Sequence, residues 1–439
     1  MKTKLKLPFI ALLFACSLAQ AQDKRPLSLQ EAIDLGVKNS HQLKSSQAKI
    51  DEATAALKEA VERRLPDAKI SGSYMRLNSA NIDLKTKDNS TGGGTGSEAP
   101  KVSQAMYGML NLSLPVYTGG RIKYGIESSR YLAEAARLDA GTQKEEVIRT
   151  TIEAYINLYK AKAAVDLVKD NLAQAQQRVK DFSNLEKNGL LARNDLLKAE
   201  LQASNTELTL LDVQNNWQLA NVNMNLMLGL PDQTELVPDS AMLGRQPEIR
   251  ALEDYVQSAL TNRKDMASLG LQRKAAETGV KATKAEMYPS LALSGGYIAA
   301  DIPKVLAVTN AVNIGVGVSY DIGSLWKTKA KVQQSEARVR QLTATEALVN
   351  DQVRLQVNKT YLDLLSSRKK IEVYGKAVEQ AEENYRITKN KYDNSLATTT
   401  DLLDADVAQL QARLNYLFAK ADAVVTYNTL LQAAGLLTN

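Results

Sequence analysis

From Asn313 to Gly323 the chain reads NIGVGVSYDIG: apolar Ile314, Val316, Val318, Tyr320 and Ile322 alternate with small or polar Asn313, Gly315, Gly317, Ser319 and Asp321. Successive strand side chains point to opposite faces, so this period predicts a strand with one apolar and one wet face. Leu291, Leu293, Gly295, Tyr297 and Ala299 repeat the pattern upstream, joined by a short link over roughly Asp301 to Thr309. A second strand pair lies nearer the start. Ala68 to Leu77 places Ile70, Gly72 and Tyr74 on one side, and Met106 to Val116 sets Leu110, Leu112, Leu114 and Val116 against Asn111, Ser113 and Pro115. Between them runs NSTGGGTGSEAP, Asn89 to Pro100, a flexible polar loop.

The rest follows a helical rhythm. Val165, Val168, Leu172, Ala175, Val179 and Phe182 step by three and four residues in turn, as do Ile371, Tyr374, Val378, Ala381, Tyr385, Thr388 and Tyr392. Leu403, Val407, Leu410, Leu414, Leu417, Ala421 and Val424 continue the step after a turn. So narrow a stripe predicts a coiled-coil seam rather than a broad globular face. A continuous helix from Gly120 to Lys187 would extend on the order of 100 Å at 1.5 Å per residue, which predicts a rod or tube.

Slid along itself, the chain shows a duplication. At one constant offset Tyr155, Gln174, Asn188, Asp195, Leu196, Leu197 and Gly229 fall on Tyr361, Gln380, Asn394, Asp401, Leu402, Leu403 and Gly435. Further upstream Pro66, Ser71, Gly72 and Tyr74 match Pro289, Ser294, Gly295 and Tyr297 at a different offset, because the hairpin loops differ in length. The predicted layout is a signal peptide (1–21), an N-terminal helix (22–66), a β-hairpin (67–118), a long helical hairpin (119–230) and a linker (231–248). A second helix (249–288), β-hairpin (289–323) and long helical hairpin (324–439) repeat the unit.

Composition narrows the class. Lys2, Lys4 and Lys6 precede an apolar run from Leu7 to Leu18 and then Ala19-Gln20-Ala21, the pattern of a signal peptide cleaved before Gln22. Cys16, the sole cysteine, offers lipidation as the alternative, and either way no disulfide forms. Without those lysines little of the +6 formal charge remains, which argues against nucleic acid. Beyond the signal no run of ~18 apolar residues occurs, so any membrane crossing must use strands.

An antiparallel sheet over a soluble core is the plainer reading of the strands. The small residues on the polar faces, the tyrosines near strand ends and the preceding signal favour a transmembrane barrel instead. Four strands cannot close one, and an open edge in lipid leaves backbone groups unpaired at several kcal/mol each. Other copies must supply the missing strands. Two protomers would give eight strands filled by their own side chains; three would give twelve and a lumen.

The duplicated layout, LPVYTGG at Leu114 to Gly120, and the tip segments NGLLARNDLLKAE and NSLATTTDLLDAD resemble the TolC-like outer-membrane efflux proteins across essentially the whole mature chain. The resemblance implies a mainly α protein with long antiparallel coiled-coil helices and four strands per protomer, closing a 12-stranded barrel as a homotrimer. It further implies a periplasmic tunnel, a periplasmic adaptor (membrane fusion) protein and, through it, an inner-membrane pump. The implied function is the passive exit duct of a tripartite efflux or type I secretion system, gated at its periplasmic tips.

By the same resemblance Asp401 and Asp404, one helical turn apart, face the lumen near the closed mouth, where three chains would crowd six carboxylates, raise their pKa values and draw cations. Tyr392 matches a tyrosine of the network that holds the mouth shut, while Ala397 departs from an arginine found in some members. Gly189, Leu190, Ala192, Ser395, Leu396 and Thr398 match the adaptor-contacting tips, with Ser395 replacing the usual glycine. Read alone, Asn194, Asp195 and Asp401 are helix caps and the apolar tips ordinary turn packing.

Leu110, Leu112, Leu114, Ile314, Val316 and Val318 are expected to face lipid. No enzyme, cofactor or metal site is expected. His41 sits among Lys38, Asn39, Ser40 and Gln42, and the Gly92 to Gly96 cluster lacks the following Lys-Ser/Thr of a phosphate loop. A secreted coiled-coil scaffold without a barrel, or an adaptor, is the alternative, although an adaptor would carry one helical hairpin rather than two.

Overall fold

The computed structural model describes residues 24–81, 101–244, 248–303 and 305–437; the expected signal peptide with Cys16 and the Asn89–Pro100 loop lie outside them. In chain order the elements are β1 (Lys24–Leu27), α1 (Leu29–Asn39), α2 (His41–Glu62), β2 (Asp67–Asn81), β3 (Lys101–Tyr117), α3 (Arg121–Lys187) and α4 (Arg193–Leu228). Then follow β4 (Glu235–Pro238), α5 (Leu252–Asn262), α6 (Lys264–Lys284), β5 (Ser290–Ile302), β6 (Leu306–Ser319), α7 (Ser324–Asp393) and α8 (Thr399–Ala433), with 3₁₀ turns at Ala241–Gly244 and Ala285–Met287. The protein is mainly helical with some strands. It divides into two compact units, one of Lys49–Arg137 with Ser268–Glu346, the other of the remainder.

In the first unit β2, β3, β5 and β6 form, in that order, an antiparallel sheet. Directly paired residues of antiparallel strands share a face. The register lines up Ile70, Leu110, Tyr297 and Val312 in one row and Ala68, Leu112, Gly295 and Ile314 in the next. Leu114, Leu293 and Val316, then Leu291 and Val318, continue that apolar face. Lys69, Asn111, Gly296 and Asn313 cross the other face, with Ser113, Ser294 and Gly315 beside them. The apolar face is uncovered: Ile314 is 90% exposed, Val318 71% and Ile70 83%. Strands β2 and β6 have no partner on their outer edges among the described residues.

The second unit is held by buried helix faces. The main cluster gathers Ile148, Ile152, Tyr155, Ile156 and Leu158 of α3 with Met224 and Leu228 of α4, Leu27 of β1 and Leu236 of β4. Tyr155 is fully buried; its hydroxyl donates to Leu27 O at 2.7 Å and accepts from Asp239 N at 2.8 Å, tying α3 to the ends of β1 and β4. Burial foremost pushes the Tyr155 phenol up to about 12.

Three segments differ from the expected layout. The N-terminal helix begins only after β1, which pairs in parallel with β4 inside the expected linker. Ser40 splits it into α1 and α2, its hydroxyl accepting from Leu43 N at 3.3 Å. Helices α5 and α6 part at Arg263, whose guanidinium binds Asp265 at 2.7 Å and the Ala433 carbonyl at 3.2 Å.

Candidate functional site

The two long hairpins turn at Asn188–Ala192 and Asn394–Thr398. At the first, Gly189 N donates to Glu186 O at 2.9 Å and Leu190 N to Leu185 O at 2.8 Å, with Gly189 left-handed at φ 71°. At the second, Ser395 N donates to Tyr392 O at 2.9 Å and Leu396 N to Lys391 O at 2.7 Å, with Ser395 at φ 60°. Both are Schellman turns, and a non-glycine residue takes the left-handed position only in the second. This backbone throws Leu190 and Leu396 outward, 74% and 77% exposed. Gly189, Ala192, Ser395 and Thr398 are exposed beside them.

Behind the turns Phe182, Leu196, Ala199 and Leu402 form a buried cluster, with Val179, Leu191, Tyr385 and Tyr392 packed against it. Residues of all four helices of the two hairpins meet here. Tyr392 stacks on Phe182 with centroids 5.6 Å apart and planes 27° from parallel. Lys198 Nζ donates to Thr400 Oγ1 at 3.2 Å and pairs with Asp195 at 3.4 Å.

The strongest link lies deeper. Arg178 Nη1 donates to Asp406 Oδ2 at 2.9 Å, Arg178 Nη2 to the Tyr385 hydroxyl at 3.3 Å, and Asn171 Nδ2 to Asp406 Oδ1 at 3.4 Å. The two charged side chains are only 10% and 2% exposed. Burial disfavours the guanidinium charge, but the Asp406 hydrogen bond and charge, with Tyr385 adding to them, outweigh it and raise the Arg178 pKa above its ordinary value. The sequence reading missed this pair, because each residue lies one place from the apolar stripe it followed. On α8 the buried line runs through Leu402, Leu403, Ala405 and Asp406, while Val407 is 46% exposed.

Asp401 and Asp404 both present carboxylates to solvent. Thr398 is the N-cap of α8 and forms a capping box with Asp401: Thr398 Oγ1 and N donate to Asp401 Oδ2 at 2.7 and 2.9 Å, and Asp401 N returns a bond to Thr398 Oγ1 at 3.2 Å. The Thr398 hydroxyl first, then its backbone amide, hold the Asp401 pKa below the usual aspartate value. Within one protomer the direction is therefore opposite to that expected of crowded carboxylates. Tyr392 sits one turn before the tip, packed against the buried cluster.

At the other candidate surface, Leu110, Leu112, Leu114, Ile314, Val316 and Val318 all share one face of the four-stranded sheet. Among the described residues no helix is long and apolar enough to cross a membrane.

The N-cap of α4 is Ala192, which gives no side-chain cap, so of the expected caps only Asp401 takes part in one. An exposed apolar sheet and two long helical hairpins, the second closed at its tip by a capping box, define the class of outer-membrane channel. The family model for outer membrane efflux proteins matches residues 32–230 and again 255–436, and the chain belongs to that family. BepC, an outer membrane efflux protein of Brucella suis biovar 1, is 24% identical over 338 residues, 75% of this chain and 72% of BepC. Among solved structures, VceC of Vibrio cholerae superposes with a TM-score of 0.77 at 18% identity, covering 93% of this chain and 96% of VceC. The Campylobacter jejuni CmeC outer membrane channel superposes at 0.76 and 18% identity, covering 93% and 85%. The protein is an outer-membrane efflux component with a large periplasmic portion.

Proposed function

We propose that three copies of this chain close a twelve-stranded barrel in the outer membrane and continue it as a periplasmic helical tunnel, the passive exit duct of a tripartite efflux or secretion assembly. One observation carries the reading: the apolar face spans all four strands uncovered, and among the described residues both outer edges lack a partner. Lipid removes the cost of the exposed face, and only neighbouring strands remove the cost of the edges. A twelve-strand closure leaves the row of Lys69, Asn111 and Asn313 lining water.

The tips form the periplasmic gate. The Arg178–Asp406 pair and the Phe182–Tyr392 stack support a latched, resting arrangement of the two hairpins, with Asp404 supplying a cation-binding charge to the lumen and Asp401 capping its helix. Leu190 and Leu396, flanked by Gly189, Ala192, Ser395 and Thr398, dock a periplasmic adaptor that couples the duct to an inner-membrane pump. Purified protein added to a planar lipid bilayer should form ion-conducting pores of low open probability. A preparation that inserts into liposomes yet never conducts would overturn the duct.

A further inference from the structure

We propose that each protomer binds a phosphate group in the cleft between the β3–α3 turn and the start of α7, a lipid headgroup being its source; this rests on the barrel reading above. Gly119, at φ 65°, brings the β3–α3 turn against the 3₁₀ turn before β5. A Cβ there would stand 2.6 Å from Ala285 O and 2.9 Å from Tyr288 Cβ, so only glycine allows this approach. The cleft has a volume of about 480 Å³ and is lined by Thr118, Arg121, Ser290, Ser324 and Lys327 among others.

Three features converge there. Ser324 is 6% exposed and its hydroxyl has no hydrogen-bond partner among the described residues. A buried hydroxyl left unpaired costs free energy that a ligand's oxygen would remove. Arg121 and Lys327 make no ion pair among the described residues, whereas Lys331, also on the cleft, is taken by Glu286 at 2.7 Å. The other acid at the rim, Asp321, accepts from Gly323 N at 2.9 Å. Ser324 also opens the 70-residue helix α7, whose N-terminal dipole favours an anion. Two cations with no ion pair among the described residues, a spare hydroxyl donor and a helix start suit the acceptor oxygens of a phosphate. Exposed Tyr117, Tyr288, Tyr320 and Trp326 adjoin these residues, the aromatic types that gather at membrane–water interfaces, which points to a lipid source.

The test uses the full-length protein in two arms. Native mass spectrometry after extraction from vesicles of phosphatidylethanolamine and phosphatidylglycerol counts retained phospholipid. Calorimetric titration with inorganic phosphate in detergent measures the bare anion. Wild type and the control Lys329→Gln should retain phospholipid, and the Arg121→Gln/Lys327→Gln double variant should lose it. Phosphate affinity should fall about tenfold or more in the double variant, and in the same direction in the conservative Ser324→Ala. Charge-dependent phosphate binding without retained lipid would keep the site and overturn its lipid source. Wild type that binds neither, or a double variant that binds like wild type, would overturn the proposal. A wild type unable to enter vesicles would end the barrel reading, yet the phosphate titration would still decide the site.

Discussion

Replacing Arg178 by methionine removes the guanidinium while keeping most of its aliphatic bulk. It strands Asp406, 2% exposed, with only Asn171 at 3.4 Å to receive it. Breaking a buried ion pair from one side costs about 3–5 kcal/mol, mostly the penalty of the orphaned charge. Because the pair joins α3 to α8 behind the tips, that cost falls on the latched arrangement and should raise the open population by about a hundredfold to a few thousandfold, a factor of about ten for each ~1.4 kcal/mol. Single-channel recording should show a sharp rise in open probability, and hydrogen exchange should show faster opening of the amides around Phe182 and Leu402. The double variant Arg178→Met/Asp406→Leu removes both charges, and replacement of a buried pair by apolar residues of similar volume is often neutral or stabilising. It should therefore recover most of the protection. If Arg178→Met left both gating and exchange unchanged, or if the double variant were more open than the single, the pair would not be a latch.

Three further outcomes follow from the same geometry. Asp404→Ala should weaken block of single-channel current by divalent cations, and unchanged block would place that carboxylate away from the lumen. Val316→Arg on the apolar face should cost about 2–4 kcal/mol near the bilayer midplane and impair insertion, whereas Ser319→Arg on the other face should be tolerated; equal tolerance would reverse the face assignment. Because the Asp401 pKa is lowered on folding, its stabilisation of α8 is fully present above the ordinary aspartate value of ~3.9 and is lost as pH falls through the lower folded value. Asp401→Asn should abolish that acid-side loss of amide protection in the first turn of α8. A wild-type midpoint above the ordinary value would instead show that neighbouring carboxylates dominate.

The long elements were legible because their periods are uninterrupted. Alternation from Asn313 to Ser319 marked β6, and the step from Val165 to Phe182 marked a stretch of α3 in which all but one of the named positions are buried. Short and distant features were not. Strands β1 and β4 are four residues each, too brief for a period, and are recognised only once paired far across the chain. The breaks at Ser40 and Arg263 depend on single side chains that bond locally. At the tips Ser395 was visible as a departure from glycine, but its left-handed backbone needed the turn itself to be seen. Arg178 and Asp406 went unmarked, since nothing local distinguishes a charge with a buried partner on another helix from one facing water. Their opposite signs beside two apolar stripes were the one available clue.

In the proposed trimer, neighbouring copies seal sheet edges β2 and β6. The most direct measurement is the mass of the purified protein extracted from outer membranes in mild detergent, with detergent and lipid subtracted. Three chains per particle, inserted in the membrane and resistant to carbonate wash, are expected. A folded single chain, stable in aqueous buffer without detergent, would contradict it.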